Sequence, residues 1–269
     1  TVKLPVPADV IDRIDYLVDK DSFVEMGTLA VIDERNPDGT LKQKRPASHV
    51  TGLAKVDGRT VVVGGDDFTV RGGAVTIYLD RVKGGMGGFA EDLAYEYKVP
   101  YFVFIEGIGG DVAINDRKGF PPLVSGMSFE RSLSLMAEVP VLGAVMGAAA
   151  GAAGARAIIS HFSVMPQETA FVVTAGPPVV ERALGQRINK FDLGGAKVHT
   201  RNGTVDNPAK DEHDAIDQMK RVLSYLPQNA WEVPARVPND DPPDRLVTEI
   251  YKIMPENLKR PFRPHALIE

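Results

Sequence analysis

The stretch PYFVFIEGIGGDVAIN, residues 100–115, decides how this sequence folds. A run of strand-forming residues there ends in Gly107-Ile108-Gly109-Gly110, and the next charged residue is Asp111. Residues 139–158 follow the same plan, because Val139-Pro140 opens an apolar run that ends among glycines and alanines. Glycine and alanine let another molecule come close to the main chain. We therefore expect two backbone loops that approach one object.

Two strands, at 101–105 and 141–146, are predicted to be parallel neighbours joined by a helix over 129–138. A right-handed crossover places both carboxyl ends at one edge of the sheet, where parallel sheets bind ligands. The glycine loop 107–110 and the small-residue loop 147–154 then lie side by side, each before a helix whose free N–H groups favour negative charge. Two converging N–H donors form an oxyanion hole for a carbonyl oxygen. From spacing alone, tight packing of helix on sheet explains the small residues equally well.

The remaining segments alternate strand and helix patterns, which indicates an α/β or α+β fold. Apolar residues recur at helical spacing between Val10 and Val18, and Asp57-Gly58 separates two apolar runs in the manner of a hairpin. The polar residues 33–49 are expected to form a loop. Further helices are predicted over 76–83, 89–98, 178–185 and 212–227, and a short strand within 168–176.

The composition excludes several classes of protein and site. A net charge of −5 and a pI near 5.6 argue against a nucleic-acid partner. The absence of cysteine excludes disulfides, Cys-based zinc sites and thiol nucleophiles, and the five histidines lack metal-ligand spacing. The longest uncharged run, 139–155, is at the lower limit for a bilayer span and consists mostly of glycine and alanine. Since no signal peptide opens the chain either, we expect a cytoplasmic protein without a membrane partner.

Five blocks of the sequence share an order with one known family. They are RIDYLVDKDSFVEMG (13–27), VTGLAKVDGRTVVVGGDDFTVRGG (50–73), LGGAKVHT (193–200), LSYLP (223–227) and PENLKRPF (255–262). With these blocks the chain resembles the carboxyltransferase component of biotin-dependent acyl-CoA carboxylases, a branch of the crotonase-like superfamily. The second block is similar to that family's Asp-Phe-Thr-Val-x-Gly-Gly signature. The likeness runs from about residue 9 to residue 269.

The resemblance implies a crotonase-like α/β fold, a ββα superhelix. It implies a single domain spanning 1–269, with an N-terminal helix, a core at about 50–230 and a proline-rich tail, 231–269, that packs on a partner. In this family a first domain binds the acyl-CoA and a second domain of similar fold binds biotin. The active site forms where the first domain of one protomer meets the second domain of another.

This family organisation also implies partners and cofactors. A second carboxyltransferase-type subunit is expected to supply the C-terminal-type domain, in a hexamer-like hetero-oligomer. A biotin carboxylase and a carrier subunit are further expected partners. The implied substrate is a coenzyme A thioester, and the implied cofactor is biotin, as carboxybiotin on a separate carrier protein.

Site residues follow from the resemblance by position. In the two loops, Gly109 and Gly110 match the glycine pair that faces the thioester carbonyl, and Gly151 and Ala152 match the turn of the second loop. The block that lines the CoA groove corresponds to Phe68, Arg71, Gly72 and Gly73. The Arg71 guanidinium either pairs with a phosphate or is a solvated loop charge.

Both loops depart from the family's usual sequence. Asp-Ser-Gly-Gly-Ala-Arg is replaced by GIGGDV at 107–112, and Pro-Cys-Ala-Gly-Gly-Ala is replaced by AAAGAA at 148–153. GGMGG at 84–88 also interrupts a helix that the family keeps continuous. Main-chain donors survive such changes, because they do not depend on side-chain identity.

Three functions are compatible with these residues. The first is carboxyl transfer, in which a backbone oxyanion hole stabilises the enolate of the acyl-CoA. The second is a biotin-independent decarboxylase, hydratase or C–C lyase with Asp111 as acid or base, although Asp111 equally suits capping of the following helix. The third is a non-catalytic structural subunit of such a complex. Further polar candidates near the loops are Glu106, Asp116, Arg117 and Lys118.

Overall fold

The computed structural model describes residues 9–73, 88–109, 127–257, 259–262 and 264–268. Two compact units divide the chain, Thr1–Pro234 and Ala235–Glu269. The second unit contains two short helices, and its predicted packing on a partner stays a prediction. The helix predicted over 76–83 lies outside the described residues.

The described elements alternate helix and strand over most of the first unit. The helices are α1 (Val10–Leu17), α2 (Phe89–Tyr97), α3 (Met127–Met136), α4 (Ala152–Ile158), α5 (Pro177–Leu184), α6 (Lys190–Gly194), α7 (Ala196–Asn202), α8 (Glu212–Tyr225), α9 (Ile250–Ile253) and α10 (His265–Ile268). The strands are β1 (Val24–Glu25), β2 (Val31–Arg35), β3 (Leu41–Pro46), β4 (His49–Val56), β5 (Arg59–Asp66), β6 (Tyr101–Gly107), β7 (Val141–Ala150), β8 (Phe162–Pro166), β9 (Phe171–Val173) and β10 (Asn207–Ala209). A single 3₁₀ turn covers Arg71–Gly73.

One mixed sheet organises this unit, with the strand order β1-β4-β5-β6-β7-β8-β10. The strands from β5 to β10 pair in parallel, whereas β1, β4 and β5 pair antiparallel. The predicted hairpin at Asp57-Gly58 is confirmed, and both residues have the positive φ that a type I′ turn requires. The predicted parallel pairing of β6 and β7 is also confirmed, in register from Tyr101↔Val141 to Ile105↔Val145.

Two local predictions were wrong. Residues 33–49 form no simple loop, since β2 and β3 pair as a separate two-stranded antiparallel sheet. Its charged sequence lacks the apolar alternation by which a strand is recognised. The second loop is also shorter than the predicted 147–154, because residues 148–150 extend β7 and pair with β9. Only Gly151 separates this strand from α4.

Two apolar cores lie on opposite faces of the sheet. The alternation along β6 places Val103 and Ile105 on the face covered by α2, while Phe102 and Phe104 face α1 and α8. The predicted amphipathic helix at 212–227 is confirmed as α8, which ends at Tyr225. These cores fix the carboxyl ends of β6 and β7 at one edge of the sheet.

Candidate active site

Main chain packs directly on main chain where the 3₁₀ turn meets the end of β6. The Ile108 N–H donates to the Gly72 carbonyl, with 3.0 Å between the heavy atoms. Gly73 has φ +63°, and a Cβ added there would lie 2.3 Å from the Glu106 carbonyl oxygen. Only glycine fits this approach. The predicted CoA-groove block is thereby held against the first loop.

The first loop approaches the end of β7, directly before Gly151 of the second loop. Gly109 is buried and has φ +91°, and a Cβ added to it would lie 3.3 Å from the Ala150 carbonyl oxygen. The pairing of the two strands continues to Gly107↔Ala149 after an irregularity that follows Ile105. The described part of the first loop therefore lies beside the last residues of β7.

The amides of the second loop have different partners. The Gly151 N–H donates to the Val173 carbonyl at 3.0 Å, so it is already used in the sheet. Ala152 is the first residue of α4, and its N–H has no acceptor within that helix. Of these two predicted positions, Ala152 is the one whose amide suits a bound carbonyl oxygen.

Apolar side chains reach solvent beside the 3₁₀ turn. Ile108 is 56% exposed, and Phe68 is 40% exposed. The Ile108 side chain passes Gly72, where an added Cβ would lie 3.2 Å from its Cδ1 atom. Arg71 begins the turn with φ +56°. An apolar rim therefore borders the place where the loops meet.

The other predicted residues are either outside the described part of the chain or away from the loop rim. Gly110, Asp111, Asp116, Arg117 and Lys118 lie outside the described residues, so their roles remain predictions. Glu106 was wrongly placed among the polar residues of the loop rim.

The Glu106 carboxylate is in the core beneath α1. It accepts a hydrogen bond from Arg13 Nη1 at 2.7 Å, and the two side chains are 8% and 2% exposed. The side chain alternates to the same face as Phe102 and Phe104, which pack on α1 and α8. Burial raises the pKa of Glu106, and Arg13 offsets only part of that rise.

Sequence reasoning missed a second buried ion cluster, formed by His49, Asp66 and Arg156. One Asp66 oxygen lies 3.0 Å from His49 Nδ1, and the other accepts a hydrogen bond from Arg156 Nη2. Burial acts to raise the pKa of the Asp66 carboxyl, but Arg156 and His49 outweigh it, so that pKa lies below its ordinary value. The available signal was a lone arginine in the glycine- and alanine-rich run 141–157.

The described part of the chain lacks two features, a metal cluster and a membrane-spanning helix. No group of three or more His, Asp and Glu side chains there could hold a metal ion. No helix there has both the length and the apolar content needed to cross a bilayer.

The model of one protein family, described as "Carboxyl transferase domain", matches residues 9–269. The chain belongs to the carboxyl transferase family. Its fold is the crotonase-like α/β fold of that family's domains, as the sequence blocks predicted.

Relatives in this family extend well beyond the present chain. The carboxyltransferase subunit of propionyl-CoA carboxylase from Haloferax mediterranei is 32% identical over 262 residues, which are 96% of this chain and 49% of that protein. The alpha subunit of methylmalonyl-CoA decarboxylase from Propionigenium modestum is 29% identical over 263 residues, which are 96% of this chain and 48% of that protein. The chain thus spans about half the length of the curated relatives it matches.

A solved structure shows the same arrangement of elements. Transcarboxylase 12S, a hexamer with hydrolysed methylmalonyl-coenzyme A bound, superimposes with a TM-score of 0.76 at 27% sequence identity. The match covers 97% of this chain and 50% of that one.

Proposed function

We propose that the chain is the acyl-CoA-binding half of a biotin-dependent acyl-CoA carboxyltransferase. The observation that carries the proposal is the close approach of Gly109 to Ala150 at the end of β7, which brings the first loop beside Gly151 at the carboxyl ends of parallel strands. In this proposal a thioester carbonyl oxygen binds between Gly109 and the Ala152 amide. The names of the carboxylase relatives support this assignment.

The main chain provides the electrostatic part of this reaction. When the α-carbon of the acyl group becomes an enolate, negative charge develops on the thioester oxygen. N–H groups aimed at that oxygen stabilise it, and removing one such donor typically costs about 3 kcal/mol of barrier. Bound carboxybiotin would supply the CO₂ that the carbanion attacks, and the biotin nitrogen released when its N–C bond breaks would take up the α-proton. Side-chain acid–base chemistry is a minor requirement, which fits loops made of glycine and alanine.

The block 68–73 is proposed to bind the coenzyme A portion. Gly72 and Gly73 allow its main chain to pack on the first loop, and Phe68 offers an exposed ring beside it. Arg71 suits a phosphate, because a guanidinium presents paired N–H donors to it. Binding energy from this remote part of the substrate orients the acyl group between the loops.

About half of each relative lies outside the match with this chain, and the proposed reaction requires a partner domain of that kind. We propose that it is supplied by a second carboxyltransferase-type subunit or by a longer polypeptide, and that a biotin carboxylase and a biotin carrier complete a hexamer-like cytoplasmic assembly. The tail 231–269 carries many exposed apolar side chains, among them Trp231, Leu246 and Tyr251. Such side chains suit packing on a partner.

A second candidate is decarboxylation of a carboxyacyl-CoA without transfer to biotin. The likeness to the decarboxylase subunit of Propionigenium modestum favours it. Asp111 is then the candidate acid or base. Asp111→Asn distinguishes its two proposed roles, since a large rate loss at unchanged stability supports proton transfer and a small stability loss alone supports capping.

The deciding experiment uses the complex that co-purifies with the tagged full chain. It is incubated with methylmalonyl-CoA in the presence and absence of free biotin, and propionyl-CoA is measured by chromatography. Formation that depends on biotin is the expected result. Formation that is equal without biotin supports the decarboxylase. A complex that binds the thioester and converts none of it is the structural subunit, and both enzymatic proposals fail.

Gly109→Ala tests the oxyanion hole itself. The added methyl group would lie 3.3 Å from the Ala150 carbonyl oxygen, a tight contact that requires a shift of a few tenths of an ångström, and a φ of +91° is unfavourable for a residue with a Cβ. We expect biotin-dependent turnover to fall by about 100-fold or more. Gly203→Ala is the matched control, because Gly203 also has positive φ, at +77°, but an added Cβ meets nothing within 4 Å. Equal turnover of the two variants would refute the role of Gly109.

A further inference from the structure

Asp66 joins three parts of the fold through one buried carboxylate. It is the last residue of β5 and is 5% exposed. One of its oxygens accepts hydrogen bonds from Arg156 Nη2 and from the Glu106 main-chain N–H, the latter at 3.0 Å. The other oxygen is 3.0 Å from His49 Nδ1. Since the carboxylate accepts there, the His49 proton is on Nδ1.

The groups bound by Asp66 adjoin the two loops of the candidate active site. Glu106 immediately precedes Gly107, the residue that begins the first loop. Arg156 lies four residues after Ala152, about one helical turn along the same face of α4. A single carboxylate thus connects the entry to the first loop with the helix that begins at the second.

The sheet alone does not fix the spacing between these loops. The regular pairing of β6 with β7 ends at Ile105↔Val145, and the register shifts before Gly107↔Ala149. Glu106 is the residue at this irregular step, and its N–H donates to Asp66. Asp66 is at the end of β5, on the other side of β6, so its carboxylate anchors Glu106 to β5 at the step where the pairing with β7 is irregular.

We infer that Asp66 is a positioning residue for the oxyanion hole, holding the Gly109 segment and the Ala152 amide at the separation that the thioester oxygen requires. This inference rests on the proposed function. Stability alone does not explain this ion cluster, because a protein with a buried ion pair is often no more stable than one with apolar residues of similar volume at the same positions. A displacement of about 1 Å between catalytic groups, in contrast, can slow a reaction by about 100-fold.

The first test is Asp66→Asn in the tagged complex, with biotin-dependent turnover of methylmalonyl-CoA as the readout. The amide preserves the shape of the side chain and removes its charge. We expect kcat to fall by about 10- to 100-fold while KM for the thioester changes by less than about threefold, since the enolate and not the CoA portion loses its support. An unchanged kcat overturns the inference.

Asp206→Asn is the matched control. The Asp206 carboxylate also accepts a strand N–H, from Ser163 at 2.8 Å, but Ser163 pairs with Gly143 near the amino end of β7. We expect its kcat and KM to equal those of the unmodified complex. A rate loss as large as that of Asp66→Asn would show that changing any carboxylate that binds a main-chain N–H slows the enzyme, and would overturn the specific role of Asp66.

The double variant Asp66→Asn/Arg156→Gln separates positioning from stability. It removes both charges, so no unpaired guanidinium is left in the core, and the melting temperature should recover towards that of the unmodified chain. We expect kcat to stay low, because the ion pair that connects Glu106 with α4 through Asp66 is still missing. If kcat and melting temperature recover together, Asp66 acts only through stability and the inference is wrong.

The remaining outcomes are also decisive. If Asp66→Asn does not fold, Arg156→Lys keeps the positive charge but loses the planar guanidinium, and it should lower kcat with unchanged KM and melting temperature; an unchanged kcat overturns the inference. If the unmodified complex converts no thioester, the proposed function fails before any variant is compared. If it is active and Asp66→Asn matches Asp206→Asn, only the positioning role fails.

Discussion

Two buried ion clusters lie on opposite faces of the sheet, and they differ in their ratio of basic to acidic side chains. On one face, Arg13 from α1 pairs with Glu106 at 2.7 Å and with Glu212 at 2.8 Å, so that one cation faces two carboxylates. On the other face, Asp66 is a single carboxylate between Arg156 and His49. The Glu106 main chain connects the clusters, since its N–H donates to Asp66.

The ratio of acidic to basic side chains in each cluster determines the direction in which the pKa of its buried carboxyl shifts. Burial raises the pKa of Glu106, because the guanidinium that opposes this effect is shared with Glu212. The pKa of Asp66 is lowered, because Arg156 and His49 together outweigh burial. The first cluster joins α1 to α8 across β6. The second joins the entry of the first loop to α4, so its hydrogen bonds, and not its charge, connect it with the proposed oxyanion hole.

Arg13→Met is expected to have the largest effect on folding. It leaves Glu106 and Glu212 without their cation while Glu106 remains buried, and breaking a buried pair in this way typically costs about 3–5 kcal/mol. The free energy of unfolding from urea titration measures the loss. Tyr16→Phe is the control, because it removes only the exposed hydrogen bond from the hydroxyl to Asp217 and keeps the ring that stacks on His213, with an expected change within about 0.5 kcal/mol. A loss below about 1 kcal/mol for Arg13→Met would show that the first cluster is not structural.

Gly147→Ala is expected to have the next largest effect, on the same cluster. A Cβ at Gly147 would lie 2.1 Å from Glu106 Oε1, so the carboxylate must move away from Arg13. Overpacking of this kind costs about 1–3 kcal/mol. Gly143→Ala on the same strand is the control, since its Cβ would meet Ile105 at an ordinary 3.4 Å. Equal stability of the two variants would mean that Glu106 relocates freely and that its pairing geometry is unimportant.

The sequence was sufficient to predict the parallel edge but not the ion clusters. The apolar strands β6 and β7 and the turn at Asp57-Gly58 are local signals, and the structure confirms each of them. The extension of β7 to Ala150 could not be predicted, because it depends on pairing with the short strand β9.

Long-range contacts account for the ion clusters. Asp66 and Arg156 are 90 residues apart in sequence, and Arg13 and Glu212 are 199 residues apart. A single sequence shows no pairing at such separations. The sequence did show one charged residue within each apolar segment. Charged side chains are uncommon at buried positions, and a buried charge requires a partner. This rule would have drawn attention to Glu106 and Arg156 as buried, paired residues.

The pH dependence of stability is expected to be the smallest effect and to have opposite signs in the two clusters. A lowered pKa in the folded state means that Asp66 stabilises the fold above its ordinary pKa of about 4, and that this stability is lost as the pH falls through the lowered value. A raised pKa has the reverse consequence. Glu106 favours the fold when protonated, so its contribution declines as the pH rises above about 4.

Urea titrations between about pH 3 and pH 7 can separate these contributions. Each group changes the free energy of unfolding by at most about 1.4 kcal/mol per pH unit. Relative to the unmodified chain, Glu106→Gln should become progressively more favourable as the pH rises above about 4, and Asp66→Asn should become progressively less unfavourable as the pH falls below about 4. Two variants with pH dependences of the same sign would contradict the opposite pKa shifts of the two carboxyls. The carboxylate beside the proposed active site would then titrate like the one beneath α1, and the two clusters would not differ in how they hold protons.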